Sequence, residues 1–320
     1  YKNLFFLVDS LYFVSSFYKI TIFATMKIKS FEIFDPLYQA KNIRVFIKRL
    51  DQINSDISGN KYFKLKYNII YALDNSFDKI ITFGGAFSNH LLATSIISRK
   101  YNLKSYGIVR GEQHDKLNPI LKQCLDNGMK LYYISRADYK LKEKAEFVIN
   151  LLKKINNIYI IPEGGTNDLA VKGTQEILSK EDNHKYICCC VGTGGTISGV
   201  INSSSESQKI IGFSSLKGVT EFNTIINNYT NKNNWNILDD YCFNGFAKIN
   251  NQLISFINTF DLKHNIPLDA IYTGKMVYGI HEMIRKNLFS SNSSILIIHS
   301  GGLSGNLGIN LRYNLALKTK

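Results

Sequence analysis

The chain has 320 residues, 45% hydrophobic and 20% charged, with a formal charge of +14 at pH 7. That is the composition of a folded globular protein with enough apolar material for a large core and two lobes, which excludes a disordered or low-complexity chain. The excess charge invites a nucleic-acid or membrane-surface partner, but the lysines are scattered and no arginine-rich stripe or nucleic-acid motif accompanies them, so neither partner is expected.

Residues 1–25 are aromatic and mostly apolar, broken by Asp9 and Lys19. The segment is too interrupted for a good transmembrane span and lacks a signal-peptide layout. It reads as upstream sequence outside the fold, with a targeting segment as the alternative; Met26 is a plausible start. From about residue 60, strand-like and helix-like segments alternate. Residues 79–83 form an apolar run ending at Gly84-Gly85, and 88–100 have helical spacing. Residues 104–109 are strand-like, and Asn118-Pro119 opens a helix with proline well placed in its first turn. A strand at 131–134 precedes a long amphipathic helix over 138–155, with Leu141, Val148, Leu151, Leu152 and Ile155 inward. A strand at 158–161 ends in Pro162-Glu163-Gly164-Gly165, and 166–178 are helical. Residues 186–191 form a buried strand entering a glycine turn, and 294–298 a last strand before His299-Ser300-Gly301-Gly302. This alternation predicts α/β architecture with largely parallel sheets. Several strands end in Gly-Gly, and ligands of open parallel sheets bind at the carboxyl ends of strands.

The five cysteines are Cys124, Cys188, Cys189, Cys190 and Cys242. An odd number with three adjacent is no disulfide framework. Consecutive strand residues face opposite ways, so the run at 188–190 cannot offer three thiols to one metal. Small buried apolar side chains in a reduced, cytoplasmic compartment are expected, and no metal site.

Four stretches carry candidate chemistry. In Gly192-Thr-Gly-Gly-Thr-Ile-Ser-Gly199, a strand runs into glycines and a helix start. This is not a dinucleotide motif, because Ile197 stands at its last glycine. It also lacks the Gly-Lys-Ser/Thr of a nucleotide loop. A single phosphate held by backbone N–H groups and the Thr193 and Thr196 hydroxyls fits; a tight turn without ligand is the alternative. In Ser58-Gly-Asn-Lys-Tyr-Phe-Lys-Leu-Lys66, Lys61 is either a surface lysine or, beside a phosphate cradle, a desolvated amine able to form a Schiff base. In Phe83-Gly-Gly-Ala-Phe-Ser-Asn-His90, Ser88 and Asn89 are helix caps or site residues, and His90 is a further candidate. In Ile266-Pro-Leu-Asp-Ala-Ile-Tyr-Thr-Gly-Lys-Met276, Tyr272 and Thr273 precede a glycine and a helix; the tyrosine packs or serves a site.

Together, SGNKYFKLKY, TFGGAFSNH, PEGGTN, VGTGGTISG, IPLDAIYTGKM and HSGG resemble, in the same order, the pyridoxal-phosphate enzymes of the tryptophan-synthase-β-like fold (fold type II). The branch is that of 1-aminocyclopropane-1-carboxylate deaminase and D-cysteine desulfhydrase, and the resemblance runs from about Phe34 to the C-terminus. It implies two domains of open, twisted, mostly parallel sheets with flanking helices and the cofactor in the cleft between them. Residues 26–66 and 161–320 would form the large domain and 67–160 the small one. Lys61 would carry pyridoxal 5'-phosphate as a Schiff base. Gly192, Thr193, Gly194, Gly195 and Thr196, helped by Lys64, would hold its phosphate. Asn89 would bind the ring hydroxyl, Thr273 would meet the pyridine nitrogen, and Ser88 and Tyr272 would face a small amino-acid substrate. A homodimer is implied.

The chemistry implied is removal of the α-proton by the freed Lys61, expulsion of a β-leaving group, and hydrolysis to a 2-oxo acid and ammonia. In the family, deaminases carry Glu after the tyrosine and desulfhydrases Thr. Thr273 therefore favours D-cysteine desulfhydrase-like activity, giving pyruvate, sulfide and ammonia. In Asn244-Gly-Phe-Ala-Lys248, Phe246 replaces a frequent second tyrosine, which puts ring opening of 1-aminocyclopropane-1-carboxylate to 2-oxobutanoate and ammonia in second place. The reading from another class is a non-catalytic binder of pyridoxal phosphate, or a basic nucleic-acid binder, that kept the fold.

Overall fold

A computed structural model describes residues 28–53, 57, 59–113 and 115–319. The segment 1–25, Met26 and Ser58 lie outside them. Among the described residues, ten strands form two sheets. The larger contains β1 (Ser30–Ile33), β2 (Ile43–Arg49), β7 (Tyr186–Val191), β8 (Lys209–Ser214), β9 (Trp235–Leu238) and β10 (Ser293–His299), in the order β1-β2-β10-β7-β8-β9. Only β1 is antiparallel to its neighbour. The smaller contains β3 (Lys79–Gly84), β4 (Lys104–Arg110), β5 (Lys130–Ile134) and β6 (Ile158–Ile161), in the order β5-β4-β3-β6, all parallel.

Parallel strands covered on both faces must be apolar along their whole length. β7 meets that demand: every residue from Tyr186 to Val191 is buried. The three cysteines divide as alternation requires. Cys189 enters the core under the helices Asn60–Asp74 and Gly195–Ser203, while Cys188 and Cys190 enter the core under Asn251–His264 and Thr273–Arg285. Burial pushes all three thiols up. Each face of the smaller sheet has its own cluster, one around Phe83, Tyr106, Ile108 and Val148, the other around Leu91, Val109, Ile120 and Met129. No helix among the described residues is long and apolar enough to cross a membrane.

Two expected helices are shorter than their patterns. The stretch 138–155 is divided into Arg136–Leu141 and Glu146–Lys154 by a 3-10 turn at Lys142–Lys144 and an extended Ala145. Buried Tyr139 causes the break. Its hydroxyl donates to Glu163 at 2.6 Å, and Lys142 folds back over its ring, 3.6 Å from the centroid, to pair with Glu163. Leu141 consequently points outward, 53% exposed. The stretch 166–178 is helical only over Asp168–Thr174, followed by a 3-10 turn at Gln175–Ile177. Asn167 caps this helix, accepting from the Ala170 N–H at 2.9 Å, which leaves Thr166 outside it in an extended conformation.

The helix Asn60–Asp74 carries two site lysines, and its depth is set by Gly173 on the neighbouring helix Asp168–Thr174. A Cβ on Gly173 would come within 2.0 Å of the Phe63 carbonyl oxygen. Backbone oxygens cannot rotate away, so Gly173→Ala must push the helices apart. We expect a loss of about 1–3 kcal/mol, as for overpacked cores, read as a lower urea midpoint with unchanged slope; an unaltered midpoint overturns this account of the packing.

Candidate active site

The carboxyl ends of both sheets open onto one cavity of about 1870 Å³. At its base, β7 ends and Gly192-Thr193-Gly194 turns into the helix Gly195–Ser203. No side chain caps that helix, so its first N–H groups keep the unmet donors and positive dipole end of a helix start. Lys64 reaches the same turn from the helix Asn60–Asp74. Its ammonium donates to Thr166 Oγ1 at 2.8 Å and to Thr193 Oγ1 at 3.2 Å, and those two hydroxyls lie 2.6 Å apart. Asn60 Nδ2 donates to Thr196 Oγ1 at 2.9 Å. Gly195 permits the approach, since a Cβ there would meet Thr166 Oγ1 at 2.9 Å and Lys64 Cε at 3.1 Å. Lys64 is buried and has hydroxyls, not carboxylates, as partners; burial, then the charge of Lys61, pull its pKa well down. An ammonium, threonine hydroxyls and helix N–H groups without an anion are a donor set that fits a phosphate.

Lys61 lies one turn before Lys64 and lines the cavity. Burial lowers its pKa to about 8, which brings a neutral, nucleophilic amine within reach of ordinary pH. His90 is buried and kept neutral, by burial first and then by Lys61 and Lys64. Its Nε2 lies 2.8 Å from Thr82 Oγ1, whose own proton goes to the Ile161 carbonyl. It is a packed histidine holding the helix Asn89–Lys100 against β3.

Ser88 and Asn89 both line the cavity. Ser88 also caps its helix, accepting from the Leu91 N–H at 3.2 Å. Asn89 crosses from this helix to the loop after β10, where its Nδ2 donates to the Gly302 carbonyl at 3.1 Å and its Oδ1 accepts from the Ser304 hydroxyl. Tyr272 stands on the opposite wall. Asp269 holds it there: one carboxylate oxygen accepts from the Ile271 and Tyr272 N–H groups at 2.9 and 2.7 Å, the other from the Thr273 N–H at 2.9 Å. Burial, then Asp269, raise the Tyr272 phenol well above its ordinary pKa, so it stays protonated. Phe246 meets Tyr272 edge to face at 6.0 Å. The loop that carries Phe246 is tied down by Lys275, whose ammonium donates to the Cys242 and Gly245 carbonyls, each at 2.8 Å.

Thus Lys61, Lys64, Ser88, Asn89, Gly192, Thr193, Gly194, Thr196 and Tyr272 share one cavity. Gly195 and Thr273 do not reach its wall. Gly195 lies behind Thr166 and Lys64. Thr273 is fully buried, its hydroxyl donating to Asp269 Oδ2 at 2.6 Å and accepting from the Asp269 N–H at 2.8 Å, so that hydroxyl is unavailable to a ring nitrogen. The cavity presents Ser300 instead. Ser300 stands in the HSGG motif, but a serine before two glycines carries no signal of its role. Thr166 and Asp269 are likewise site-building residues that local sequence does not single out.

The cup generates a prediction. Lys64→Ala removes a charged donor worth about 1.5–3 kcal/mol. It should therefore weaken binding of pyridoxal phosphate by about 10- to 150-fold, while binding of pyridoxal, which lacks the phosphate, changes little. Titration of the cofactor-free protein with both compounds measures this; equal weakening of the two removes Lys64 from the cup.

Comparison with known proteins agrees with this geometry. The family model described as "Pyridoxal-phosphate dependent enzyme" matches residues 28–301. The mitochondrial bifunctional D-cysteine desulfhydrase/1-aminocyclopropane-1-carboxylate deaminase of Arabidopsis thaliana is 28% identical over 298 residues, 82% of this chain and 73% of that protein. A D-cysteine desulfhydrase of Klebsiella pneumoniae (strain 342) is 26% identical over 291 residues, 81% of this chain and 86% of that one. A crystal structure described as an ACC deaminase homologue superposes with a TM-score of 0.78 at 26% identity, covering 91% of this chain and 94% of the other. With a cup that fits a phosphate, a lysine one turn away and a family match spanning most of its length, the chain belongs to the pyridoxal-phosphate dependent enzymes, among relatives that include both D-cysteine desulfhydrases and 1-aminocyclopropane-1-carboxylate deaminases.

Proposed function

We propose that the protein is a D-cysteine desulfhydrase-like lyase, converting D-cysteine and water to pyruvate, hydrogen sulfide and ammonia. The observation that carries this reading is the makeup of the cavity wall. Tyr272 is its one phenol among the described residues, because Phe246 occupies the neighbouring position, and the hydroxyl offered at the end of β10 is the neutral Ser300. Bound pyridoxal phosphate draws electron density from the substrate's α-carbon. A neutral partner at its ring nitrogen, a role we give to Ser300 in place of Thr273, leaves that pull moderate, which suffices when sulfide is the leaving group.

The remaining roles follow from position. The cup at 192–196 with Lys64 takes the phosphate. The start of the helix Asn89–Lys100 keeps N–H groups for the substrate carboxylate. Lys61, with its depressed pKa, is the amine that accepts the α-proton at Nζ. Tyr272, held protonated, presents a proton to the departing sulfur.

The holoenzyme with D-cysteine should release sulfide and pyruvate in equal amounts. Lys61→Ala should lower that rate by about 100- to 10,000-fold, the usual worth of a positioned general base; product no greater than the variant's background removes the proposal. Phe246→Tyr restores a second phenol beside Tyr272. It should raise formation of 2-oxobutanoate from 1-aminocyclopropane-1-carboxylate while leaving sulfide release within about threefold, since a position offering no substrate hydrogen bond costs little to change. If the wild-type protein already opens the ring as fast as the variant, Phe246 does not set the choice.

A further inference from the structure

One strong charge in the cavity has no use in the reaction as described. Arg110 is the last residue of β4, at the carboxyl end of a central strand of the smaller sheet. It lines the same cavity as Ser88, Glu163 and Tyr272. Its guanidinium lies 5.7 Å from the centroid of the Tyr139 ring, and its Nη2 lies 3.5 Å from where a Cβ on Gly85 would stand. It is therefore turned toward the loop that leads into Ser88. Among the described residues no carboxylate pairs with it. Glu163, on the same wall, is already engaged by the Tyr139 hydroxyl at 2.6 Å and the Lys142 ammonium at 2.8 Å. Arg136 lines the same cavity, also with no ion pair among the described residues. The charge of Arg110 reaches across the cavity, where it opposes the carboxylates that raise the Tyr272 phenol.

A guanidinium within about 6 Å of an aromatic ring is attracted to it, and its fork of donors suits an anionic group. Of the other cations of the cavity, Lys64 faces the glycine cup, Arg49 is paired with Asp51 and Lys318 with Asp261, while Arg136 shares the feature of having no ion pair among the described residues. The substrate's α-carboxylate has the start of the helix Asn89–Lys100. Arg110 is left for a second negative charge.

We propose that Arg110 is a specificity-determining residue that binds an anionic group on the substrate side chain, so that the site prefers small amino acids bearing a negatively charged β-substituent. This rests on the reading of the cavity as an amino-acid site. Cysteine as its thiolate is the smallest member of the class; oxyanion-bearing β-substituents are the larger ones.

Aspartate and asparagine are the probes, being nearly isosteric and differing in side-chain charge, and each enantiomer is titrated calorimetrically into the holoenzyme. One enantiomer of aspartate should bind about 10- to 100-fold tighter than its asparagine counterpart, as expected for a charge-assisted hydrogen bond. Arg110→Gln should abolish that difference while leaving asparagine affinity within about twofold, and Arg110→Lys should keep part of it, since a lysine retains the charge without the fork. Aspartate binding no tighter than asparagine overturns the proposal. So does equal weakening of both by Arg110→Gln, which would put the guanidinium on the α-carboxylate. Selective aspartate binding by a protein that releases no sulfide from D-cysteine supports the Arg110 assignment and removes only the desulfhydrase reading. Absence of binding by either amino acid overturns the Arg110 assignment and leaves the desulfhydrase reading to the D-cysteine assay.

Discussion

The site depends on cationic charge that the protein does not neutralise. Lys64 is sealed beneath the glycine turn with two threonine hydroxyls as its partners. A buried ammonium normally demands a carboxylate, because removing it from water is costly and hydroxyl dipoles recover only part of that cost. Lys61 stands one turn away and lowers the Lys64 pKa further. Around it the helices Asn60–Asp74, Asp168–Thr174 and Gly195–Ser203 are locked at close approach by Gly173, against the first, and Gly199, between the other two, each with no room for a Cβ. Helix packing thus holds two lysines close together, and a phosphate dianion would meet the charge they carry.

A second organising group is Asp269. It makes no contact that the sequence pattern would single out, yet both its oxygens collect backbone N–H groups from the turn at 271–273. That turn is clamped from behind by Asn306, which accepts from the Ala270 N–H and donates to the Leu268 carbonyl. The arrangement aims the Tyr272 ring across Gly192 and, by the same stroke, buries Thr273. The two neighbours are separated by what one carboxylate claims: the phenol goes to the cavity and the threonine hydroxyl goes to Asp269.

The strands with glycine ends were legible because their signals are local. An apolar run followed by Gly-Gly has few ways to fold, and β3, β6, β7 and β10 lie where such runs stand. The lysines, the serine-asparagine pair and the tyrosine were legible through the family's order of motifs. Other features were decided by competition in three dimensions. Thr273 and Ser300 are both hydroxyls beside glycine, and only the Asp269 turn tells which of them faces inward. The expected helix over 138–155 has unbroken amphipathic spacing, but a buried Tyr139 with two cationic neighbours outweighs a continuous hydrogen-bond ladder. Arg110 sits in an ordinary strand, and what marks it out, the lack of a carboxylate partner among the described residues, is a three-dimensional fact.

The three cysteines of β7 bear on folding fidelity. A strand's register is normally pinned by the pattern of large and small side chains that its two cores accept. Three identical side chains in the middle of a central strand erase that pattern: a slide of one residue puts a thiol where a thiol was on either face. The information must then reside at the two ends. At one, Tyr186 packs edge to face on Phe289 at 4.9 Å and meets the Ser290 hydroxyl at 2.8 Å. At the other, Gly192 passes beneath Tyr272, where a Cβ would stand 3.2 Å from the ring. The residue that seats the glycine turn under the tyrosine therefore also serves as the stop that sets the strand, so the shape of the candidate site and the threading of the central sheet are set at the same place.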